Sequence, residues 1–569
     1  MRGFARPNSL GALALLALVA IPDFASASSP LLNRIDRLPS GSRRSRQVRN
    51  VFGDDLTVGE YILSKRQSDA QQQDIVATAR TDPITAASTA ETLPNVAQND
   101  NGGTDTSGNL LQGDGYYNYA WNSNVYFNPS AATNGSDEEG WQELPDTVGF
   151  TLNRTFEIKN RYGNESGIMP FYLSNVADNA SVLRAIIVMP GKPRDSWKYS
   201  NLMLNARSVA VANFQNLAPA GTSVTNDTFL ILGPAIMNNM DITAGATRPG
   251  ELAWHGSGWQ RGSPSIQPAM RHGITSYEMI DTFVDLLFDK NVYPNLNQVV
   301  IAGHSMGGQA TQRYAVLKKT KKYDDNMRFW IGNPGSWAWL HDSRPYMGAN
   351  LSCLANDEWD TWPYGLGGNQ SKVSVYARRD VKADKTAVVD RFINRQVSYG
   401  LALLDIGAGD THCQAKWQGG NHLDRGSQFV LQFGNASAFD LGGKFPSKHS
   451  LDYVANVTHQ DYAMYSTNAT LNRIFFQDLN VRHPELTNVT NPGDKKNSTK
   501  KKGEKAFATP AHEKVAIGLL AGSLGLVFIF FTMLPVIFTA DQVRDIDTKW
   551  DAQSYVSQES RRMLVDRKY

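Results

Sequence analysis

The sequence predicts an α/β fold in which helices cover both faces of a mostly parallel sheet. Between about residues 115 and 475, short apolar runs bounded by turn residues alternate with segments of helical periodicity, the pattern of strands joined by crossover helices. Residues 185–189, 228–232 and 298–302 are continuous apolar runs, as expected for strands that are buried on both faces. Residues 276–289 instead carry apolar side chains at helical spacing.

Two further strands and one further helix complete this part of the chain. Residues 329–332 and 372–377 are predicted strands, and residues 309–319 are a predicted helix that follows soon after the run at 298–302. No internal repeat is present in the sequence. The sequence therefore predicts one large domain over residues 115–480, with a tail on each side.

The length, charge and composition of the chain limit the kinds of protein it could be. The chain has 569 residues, 56 Lys and Arg against 54 Asp and Glu, and a net charge of +2, so no global charge indicates a nucleic-acid partner. Residues 28–114 are polar, with a basic cluster and three successive glutamines at 71–73, and we expect them to be poorly ordered. The dibasic pair at 65–66 allows this segment to be a propeptide; a solvated linker is the alternative.

The N-terminus has the layout of a secretory signal peptide. Arg2 and Arg6 precede an apolar run over residues 10–21, and Ala25 and Ala27 supply the small residues for cleavage after residue 27. The predicted signal peptide therefore covers residues 1–27. Asn-x-Ser/Thr triplets, the acceptors of N-glycosylation, agree with passage through the secretory pathway. They begin at Asn134, Asn153, Asn164, Asn179, Asn226, Asn350, Asn369, Asn435, Asn456, Asn468, Asn488 and Asn497.

A second long apolar stretch predicts one transmembrane helix. It runs from Val515 to Ala540 without a charged residue, which suffices to span a bilayer. A Lys-rich stalk over residues 481–514 precedes it and a polar tail over residues 541–569 follows, so we expect a lumenal domain and a cytosolic tail. The lysines before the span oppose the usual cytosolic bias of positive charge, and the signal peptide is given the greater weight. Gly518 and Gly522 form a GxxxG pair that could pack two such helices into a weak homodimer.

One motif carries chemistry: Gly303-His304-Ser305-Met306-Gly307, a G-x-S-x-G pattern between a predicted strand and a predicted helix. That context is the nucleophile elbow of the α/β-hydrolase fold, so this is the fold we predict. The glycines allow the tight turn, which presents the Ser305 hydroxyl at the C-terminal edge of the sheet, where open α/β sheets bind ligands. Ser305 is therefore the predicted nucleophile.

A serine nucleophile needs a base, and the base needs an acid that orients it. In this fold the chain order is serine, acid, histidine. Asp380, just beyond the predicted strand at 372–377, is the predicted acid, with Asp384 in reserve. His459, which ends a strand-like run at 451–459, is the predicted base.

Other histidines are less suited to act as the base. His449 precedes the strand-like run and would lie at the wrong end of the sheet, whereas His483 follows the last clear element of the domain. His412 and His422 fall in a polar loop and are expected to be solvated.

The developing oxyanion of acyl transfer needs two hydrogen-bond donors. The backbone N–H of Met306 is the first predicted donor, and the backbone N–H of Lys192, in the loop after the strand at 185–189, is the second. Three aromatic side chains are candidates for the substrate pocket, with ordinary core packing as the equal alternative: Tyr199, Trp254 and Trp259.

The chain resembles fungal secreted α/β-hydrolases of the esterase and polyhydroxybutyrate-depolymerase-like type, several of which have membrane tails. The similar stretches are residues 190–199, 254–259, 294–296, the Ser305 elbow, 362–366, 413–419 and 457–459. The resemblance implies a triad of Ser305, Asp380 and His459. It also makes a disulfide between Cys353 and Cys413 plausible, because both cysteines fall beside similar stretches.

The sequence thus predicts a lumenal or extracellular serine hydrolase that cleaves small-molecule or lipid esters through an acyl-enzyme, without a metal or another cofactor. A peptidase or transacylase could use the same triad. A catalytically silent hydrolase fold that serves as a surface binding module is the alternative from another class.

Overall fold

The structure is a computed structural model that describes residues 47–49, 55–93, 135–346, 357–435 and 441–481. Within these ranges no helix is both long and apolar enough to cross a bilayer. The predicted signal peptide, the span from Val515 to Ala540 with its Gly518 and Gly522, and Cys353 lie outside the described residues. The disulfide between Cys353 and Cys413 therefore stays a prediction.

An eight-stranded sheet forms the centre of the domain. Its strands, numbered along the chain, are β1 (Phe150–Asn153), β2 (Phe171–Ser174), β3 (Arg184–Met189), β4 (Phe229–Pro234), β5 (Gln298–His304), β6 (Met327–Gly332), β7 (Gln396–Ala402) and β8 (His449–Val454). They lie side by side in the order β1-β2-β4-β3-β5-β6-β7-β8. β2 is antiparallel to β1 and β4, and all other neighbours are parallel, so β3 to β8 end at the same edge.

Twelve α-helices accompany the strands in the described ranges, besides short 3-10 turns and one π-helical turn. They are α1 (Val58–Ala79), α2 (Pro83–Ala90), α3 (Ser196–Asn213), α4 (Asn239–Ala244), α5 (Ser276–Leu287), α6 (Met306–Leu317), α7 (Arg378–Ala383), α8 (Lys385–Ile393), α9 (Cys413–Lys416), α10 (His422–Leu431), α11 (Asp461–Tyr465) and α12 (Asn468–Leu471). Short two-stranded ribbons pair Gln47–Arg49 with Asp55–Thr57, Gly135–Ser136 with Gly140–Trp141, and Glu157–Lys159 with Ser166–Ile168.

Alternate residues of the buried strands serve two separate cores, one on each face of the sheet. In β3, Ile187 and Met189 pack with α5, α6, α8 and α10, whereas Ile186 and Val188 pack with α3 and α12. This is the period-two alternation of a strand, and both faces are apolar because helices cover both. The predictions of β3, β4, β5 and β6 and of α5 and α6 from apolar runs are confirmed, with shifts of a few residues at their ends.

The N-terminal segment differs from the prediction of poor order over residues 28–114. There α1 and α2 form a helical hairpin that packs against β8 and α10, and its Ile75, Ala79, Ala86 and Ala87 are buried in the core. The small alanines let α2 approach α10 closely and are strong helix formers. The side chain of Gln72, in the triplet that suggested disorder, is buried and accepts a 2.8 Å hydrogen bond from the backbone N–H of Asn456.

The predicted strand at 372–377 is wrong, and this changes the site. These residues form turns: the carbonyl of Ser374 accepts from the N–H groups of Ala377 (3.1 Å) and Arg378 (2.9 Å). Val373, Tyr376 and Ala377 are buried in the core beside α5 and α6, and Tyr376 donates to Asp281 of α5 (2.8 Å). The strand that belongs beside β6 is β7, which lies some twenty residues later in the chain.

Candidate active site

Ser305 occupies a strained turn between β5 and α6. Its backbone has φ 59° and ψ −124°, a conformation that costs a non-glycine residue free energy and that the surrounding contacts must hold in place. The N–H of Ser305 donates to the carbonyl of Gly332 at the end of β6 (2.9 Å). A side chain at Gly303 would place its Cβ 2.2 Å from the carbonyl oxygen of Gly307, so the turn needs glycine there. The predicted nucleophile elbow is present in the structure.

The first turn of α6 is packed against the loop that follows β3. A Cβ on Gly307 would lie 2.5 Å from the carbonyl oxygen of Met189 and 2.6 Å from that of Pro190. Glycine at 307 therefore lets the β3 loop approach the helix N-terminus closely. Lys192 follows Pro190 by two residues, so its backbone belongs to the loop that packs against the first turn of α6.

The loops after β7 and β8 bring a histidine and a carboxylate together. Nδ1 of His459 lies 2.7 Å from Oδ2 of Asp405, which is buried. Because a carboxylate accepts, Nδ1 carries the proton in the neutral ring, which leaves Nε2 with a lone pair. His459 thus has the tautomer that a general base for a serine requires.

His459 lies close to the nucleophile's own loop. Its ring centroid is 4.6 Å from that of His304, the residue before Ser305. Ser305, Asp405 and His459 follow β5, β7 and β8, so all three belong to the C-terminal edge of the sheet. They keep the chain order serine, acid, histidine.

The assignment of Asp380 as the acid needs correction. Asp380 lies in the first turn of α7, where it is buried and forms an ion pair with Arg391 (3.4 Å). Arg391 also donates to the carbonyl of Leu317, the last residue of α6 (3.4 Å). Because α6 is about 18 Å long, Asp380 sits at the far end of this helix from Ser305.

The reserve acid, Asp384, is not at the site either. It is the N-terminal cap of α8, and its carboxylate accepts from the N–H of Ala387 (2.9 Å). Sequence reasoning missed Asp405 because β7 (QVSYGLA) is not a continuous apolar run. A usable signal was present, because an aspartate follows the end of this strand by three residues, as the fold requires of its acid.

Electrostatics favour an ionised acid beside neutral histidines. Burial alone would raise the pKa of Asp405, but the adjacent rings of His422 and His459 hold it well below its ordinary value. Burial lowers the pKa of His304 to about 3, and repulsion from His459 acts in the same direction. Burial likewise lowers the pKa of His422. If His459 accepts a proton, its positive charge would therefore lie beside the ionised Asp405, while His304 and His422 stay neutral and do not repel it.

Two backbone N–H groups are suited to hold an oxyanion. Within the described residues, no protein group accepts a hydrogen bond from the N–H of Met306 or of Lys192. The N–H of Met306 belongs to the first turn of α6, whose donors have no partners within the helix. The side chain of Lys192 is exposed, so only its backbone could contribute.

A buried ion pair fixes the loop that carries Lys192. Arg194, which has φ 65°, binds both carboxylate oxygens of Asp241, with Nε–Oδ2 at 2.8 Å and Nη2–Oδ1 at 3.0 Å. The N–H groups of Trp141 (2.9 Å) and Asn238 (2.7 Å) also donate to Asp241. This bidentate ion pair fixes the orientation of the loop more strictly than a single hydrogen bond would.

A second ion pair links the β3 loop region to the histidine loop. Nζ of Lys198 lies 2.7 Å from Asp461 and 3.8 Å from Asp195. Burial would lower the pKa of Lys198, but the two carboxylates raise it, so the ammonium stays charged. Asp461 is two residues beyond His459, and the pair therefore restrains the loop that holds the base.

The three candidate pocket residues have different positions. Tyr199 lies against the β3 loop, since a Cβ on Gly191 would be 2.3 Å from its hydroxyl oxygen. Trp254 and Trp259 are buried in the main core, and the carbonyl of Trp259 accepts from the hydroxyl of Ser276 (2.5 Å). Of the three, Tyr199 is adjacent to the candidate oxyanion site, and the two tryptophans act in packing.

The remaining histidines have structural partners. His449 is the first residue of β8, at the opposite end of the strand from His459, as predicted. Its Nδ1 is hydrogen-bonded to the hydroxyl of Tyr399 in the core (3.0 Å). His422 is buried rather than solvated, and His412 is exposed but paired with Asp410 (2.6 Å). His483 lies outside the described residues.

A second serine–aspartate–histidine group lies nearby, but its hydrogen bonds do not suit catalysis. The buried hydroxyl of Ser336 donates to Asp410 (2.7 Å) and accepts from Arg313 (2.9 Å), while His412 contacts the other oxygen of Asp410. A nucleophilic hydroxyl has to donate to the base, whereas this one donates to the acid. Ser305 is the better nucleophile on this ground.

One group of side chains in the described part of the chain could geometrically hold a metal ion: Asp405, His422 and His459, with ligand-type atoms within 4.8 Å of one another. Hydrogen bonds already explain this closeness. Asp405 binds His459, and Nδ1 of His422 lies 2.9 Å from the carbonyl oxygen of Gly407.

Comparison by sequence finds no matching family model and no matching curated protein. Comparison by structure finds poly(aspartic acid) hydrolase-1 from Sphingomonas sp. KT-1, at 16% identity and a TM-score of 0.38, covering 58% of this chain and 100% of that one. LpqC, a poly(3-hydroxybutyrate) depolymerase from Bordetella parapertussis, has 16% identity and a TM-score of 0.36, covering 57% and 89%. The siderophore hydrolase EstB from Aspergillus nidulans has 10% identity and a TM-score of 0.30, covering 60% and 99%. These values are too low to transfer an activity, so the case for function rests on the chain's own geometry.

The sheet itself fits the predicted α/β-hydrolase fold. It is mostly parallel and covered by helices on both faces, and a nucleophile elbow follows a central strand. The carboxylate after β7 and the histidine after β8 complete the arrangement.

Proposed function

We propose that this chain is a serine hydrolase that cleaves carboxylic esters through an acyl-enzyme. The observation that supports this most is the strained Ser305 at the sheet edge that also carries the His459–Asp405 pair. Strain at a single non-glycine residue is retained where function requires it. A binding module would have no need of this turn or of a buried carboxylate on the histidine.

The proposed reaction follows from the roles of these groups. The hydroxyl oxygen of Ser305 attacks the ester carbonyl carbon, and its proton moves to Nε2 of His459. Asp405 stabilises the imidazolium, and the N–H groups of Met306 and Lys192 hold the oxyanion. When the C–O bond breaks, His459 returns the proton to the leaving alcohol. Water then repeats the sequence on the acyl-enzyme and releases the carboxylic acid.

We also propose that the catalytic domain is lumenal or extracellular, on a single-pass membrane protein. The predicted signal peptide and the predicted span support this topology. The described acceptor asparagines support it too, because all are exposed except Asn153, which is half-buried. An N-glycan amidase should lower the apparent mass of the protein from a fungal host; an unchanged mass would contradict this localisation.

Ester hydrolysis tests the proposal directly. A series of p-nitrophenyl esters of rising acyl length, offered to the full-length chain, should be cleaved by the wild type and not by Ser305→Ala. Ser336→Ala is the matched control, because it removes the other serine that lies beside an aspartate and a histidine, and it should retain turnover. Equal turnover by the wild type and Ser305→Ala would reject the proposal.

A further inference from the structure

The proposed mechanism leaves one buried histidine of the site unused. His422 is the first residue of α10, and its side chain is 7% exposed. Its ring stacks on that of the proposed base His459, with 4.1 Å between the centroids and 29° between the planes. A parallel ring at this distance restricts how His459 can tilt.

The same histidine also contacts the proposed acid. Nδ1 of His422 lies 2.9 Å from the carbonyl oxygen of Gly407 and 3.1 Å from Oδ1 of Asp405. A carbonyl oxygen can only accept, so Nδ1 of His422 carries a proton. Oδ2 of Asp405 accepts from the N–H of His459, whereas Oδ1 accepts no hydrogen bond from the described residues and lies in close contact with Nδ1 of His422, whose proton is directed to the carbonyl of Gly407.

Backbone contacts hold His422 in this position. Its N–H donates to the carbonyl of Gly407 (3.2 Å), and the N–H of Leu423 donates to the carbonyl of Asp405 (3.0 Å). On the other side, Gly409 packs so closely that a Cβ there would come within 2.6 Å of the His422 ring. The start of α10 and the loop after β7 thus form one unit with Asp405 inside it.

We propose that His422 is a positioning residue that holds both Asp405 and the ring of His459 in the geometry for proton transfer from Ser305. The inference rests on the proposed function, because it assigns His422 a part in that reaction. His422 does not touch the reacting atoms; it acts through the acid and the base.

The electrostatic consequence is a weaker pull of Asp405 on the His459 imidazolium. The positive end of the N–H dipole of His422, in contact with Oδ1, offsets part of the carboxylate's negative charge. Without it, Asp405 would stabilise the protonated base more strongly, and His459 would become protonated at a higher pH. The other titratable and charged groups near His422 stay in place when it is replaced: His304, Asp410 and Arg425.

Two substitutions separate the ring from the N–H group. His422→Phe keeps a flat ring over His459 but removes the N–H. His422→Asn keeps an amide donor near the position of Nδ1 but removes the ring. The readout is the rate of fluorophosphonate reaction with Ser305 in the full-length chain from about pH 5 to about pH 9, because its acid limb follows the ionisation of the base.

We expect the acid limb of His422→Phe to move up by about half to one pH unit and the plateau rate to fall about 10-fold. The acid limb of His422→Asn should stay near that of the wild type, with a lower plateau rate. An acid limb of His422→Phe that coincides with that of the wild type would overturn the inference, since a merely structural histidine would not affect this limb.

A second readout does not depend on reactivity. In full-length chain labelled with ¹⁵N at histidine, the pH titration of His459, assigned through His459→Gln, should shift upward in His422→Phe. If the wild type fails to react with fluorophosphonate, the proposed function is wrong. The titration of His459 still decides then whether His422 controls its ionisation: an upward shift supports that control and no shift rejects it.

Discussion

At the level of single residues, the sequence analysis placed the proposed nucleophile and base at the same edge of the sheet, but it chose Asp380 where the structure brings Asp405 to His459. Ser305 is recognisable because its glycines and its place between a strand and a helix are local features of the sequence. His459 ends a strand-like run at residues 451–459 that is also visible in the sequence. Asp405 follows β7, whose apolar residues are interrupted by Ser398 and Gly400 and which pairs with β6 and β8 in the sheet. The signal of an aspartate just after a strand can be used only once β7 is recognised as a strand, and tertiary pairing decides that more than local propensity does.

Asp405→Asn tests the revised acid. The amide of asparagine would donate to Nδ1 of His459, so the ring proton would move to Nε2 and the base would lose its lone pair. We expect kcat for ester hydrolysis to fall by about 10⁴-fold. Asp384→Asn is the matched control and should keep the wild-type rate, because asparagine caps a helix as well as aspartate does. Wild-type kcat in Asp405→Asn would remove Asp405 from the triad.

At the level of helices, strands and loops, close backbone packing sets the geometry of the site. The β3 loop reaches the start of α6 only because residue 307 is glycine, and the Arg194–Asp241 pair holds the same loop from the other side. The Gly-rich motif predicts the turn at Ser305. It does not predict Arg194 or Asp241, which are 47 residues apart and meet through the fold.

Gly307→Ala should therefore damage the oxyanion site. The new Cβ would meet the carbonyls of Met189 and Pro190 and push the β3 loop away from Met306. A displacement of this kind should lower kcat/KM for an ester by about 100-fold. Gly163→Ala is the control: Gly163 has a φ of 72°, unlike Gly307, but a Cβ there meets nothing within 4 Å, so the substitution should cost about 1 kcal/mol of stability and no activity. An unchanged kcat/KM in Gly307→Ala would contradict this role of the loop.

The N-terminal hairpin is attached to α10 through a buried pair of acidic side chains. Glu91, just after α2, lies against Asp424 of α10; Gln428 donates to Glu91 (3.1 Å) and Tyr346 donates to Asp424 (2.8 Å). Burial, together with the charge of Asp424, raises the pKa of Glu91 far above its ordinary value. Burial also raises the pKa of Asp424. Glu91 therefore keeps its proton at pH values at which a glutamate in water is ionised.

This pair predicts a pH dependence of stability. Below the ordinary glutamate pKa, the folded and unfolded chains both hold the proton, and the contact is fully stabilising. Above it, the unfolded chain releases a proton that the folded chain keeps, so the free energy of unfolding falls as pH rises, until the raised pKa is passed.

Glu91→Gln removes the need for that proton. Its midpoint of thermal unfolding should exceed that of the wild type at about pH 8, by the equivalent of about 1 kcal/mol, and the two should converge at about pH 4. The exposed Glu138→Gln, as a control, should follow the wild type at both pH values. A constant difference between Glu91→Gln and the wild type across this range would show that the folded chain does not hold a proton on Glu91.

At the scale of the whole molecule, the sequence predicted the strands that helices cover on both faces. Such strands consist mostly of apolar residues, and this pattern can be recognised without the structure. The predictions of β3 to β6 rested on this, and they place Ser305 in the turn after β5. The N-terminal hairpin was not predicted, because its contribution to the core comes mainly from small alanines. A polar segment that buries only one narrow face has nearly the same composition as a disordered segment.

Covalent labelling of the full-length chain with a fluorophosphonate, followed by peptide mapping, tests most directly whether Ser305 is an activated nucleophile. The geometry predicts one labelled serine, Ser305, with labelling abolished in Ser305→Ala and in His459→Gln and retained in Ser336→Ala. Absence of labelling in folded wild-type protein, or labelling at another serine, would contradict the catalytic role of the Ser305, His459 and Asp405 arrangement.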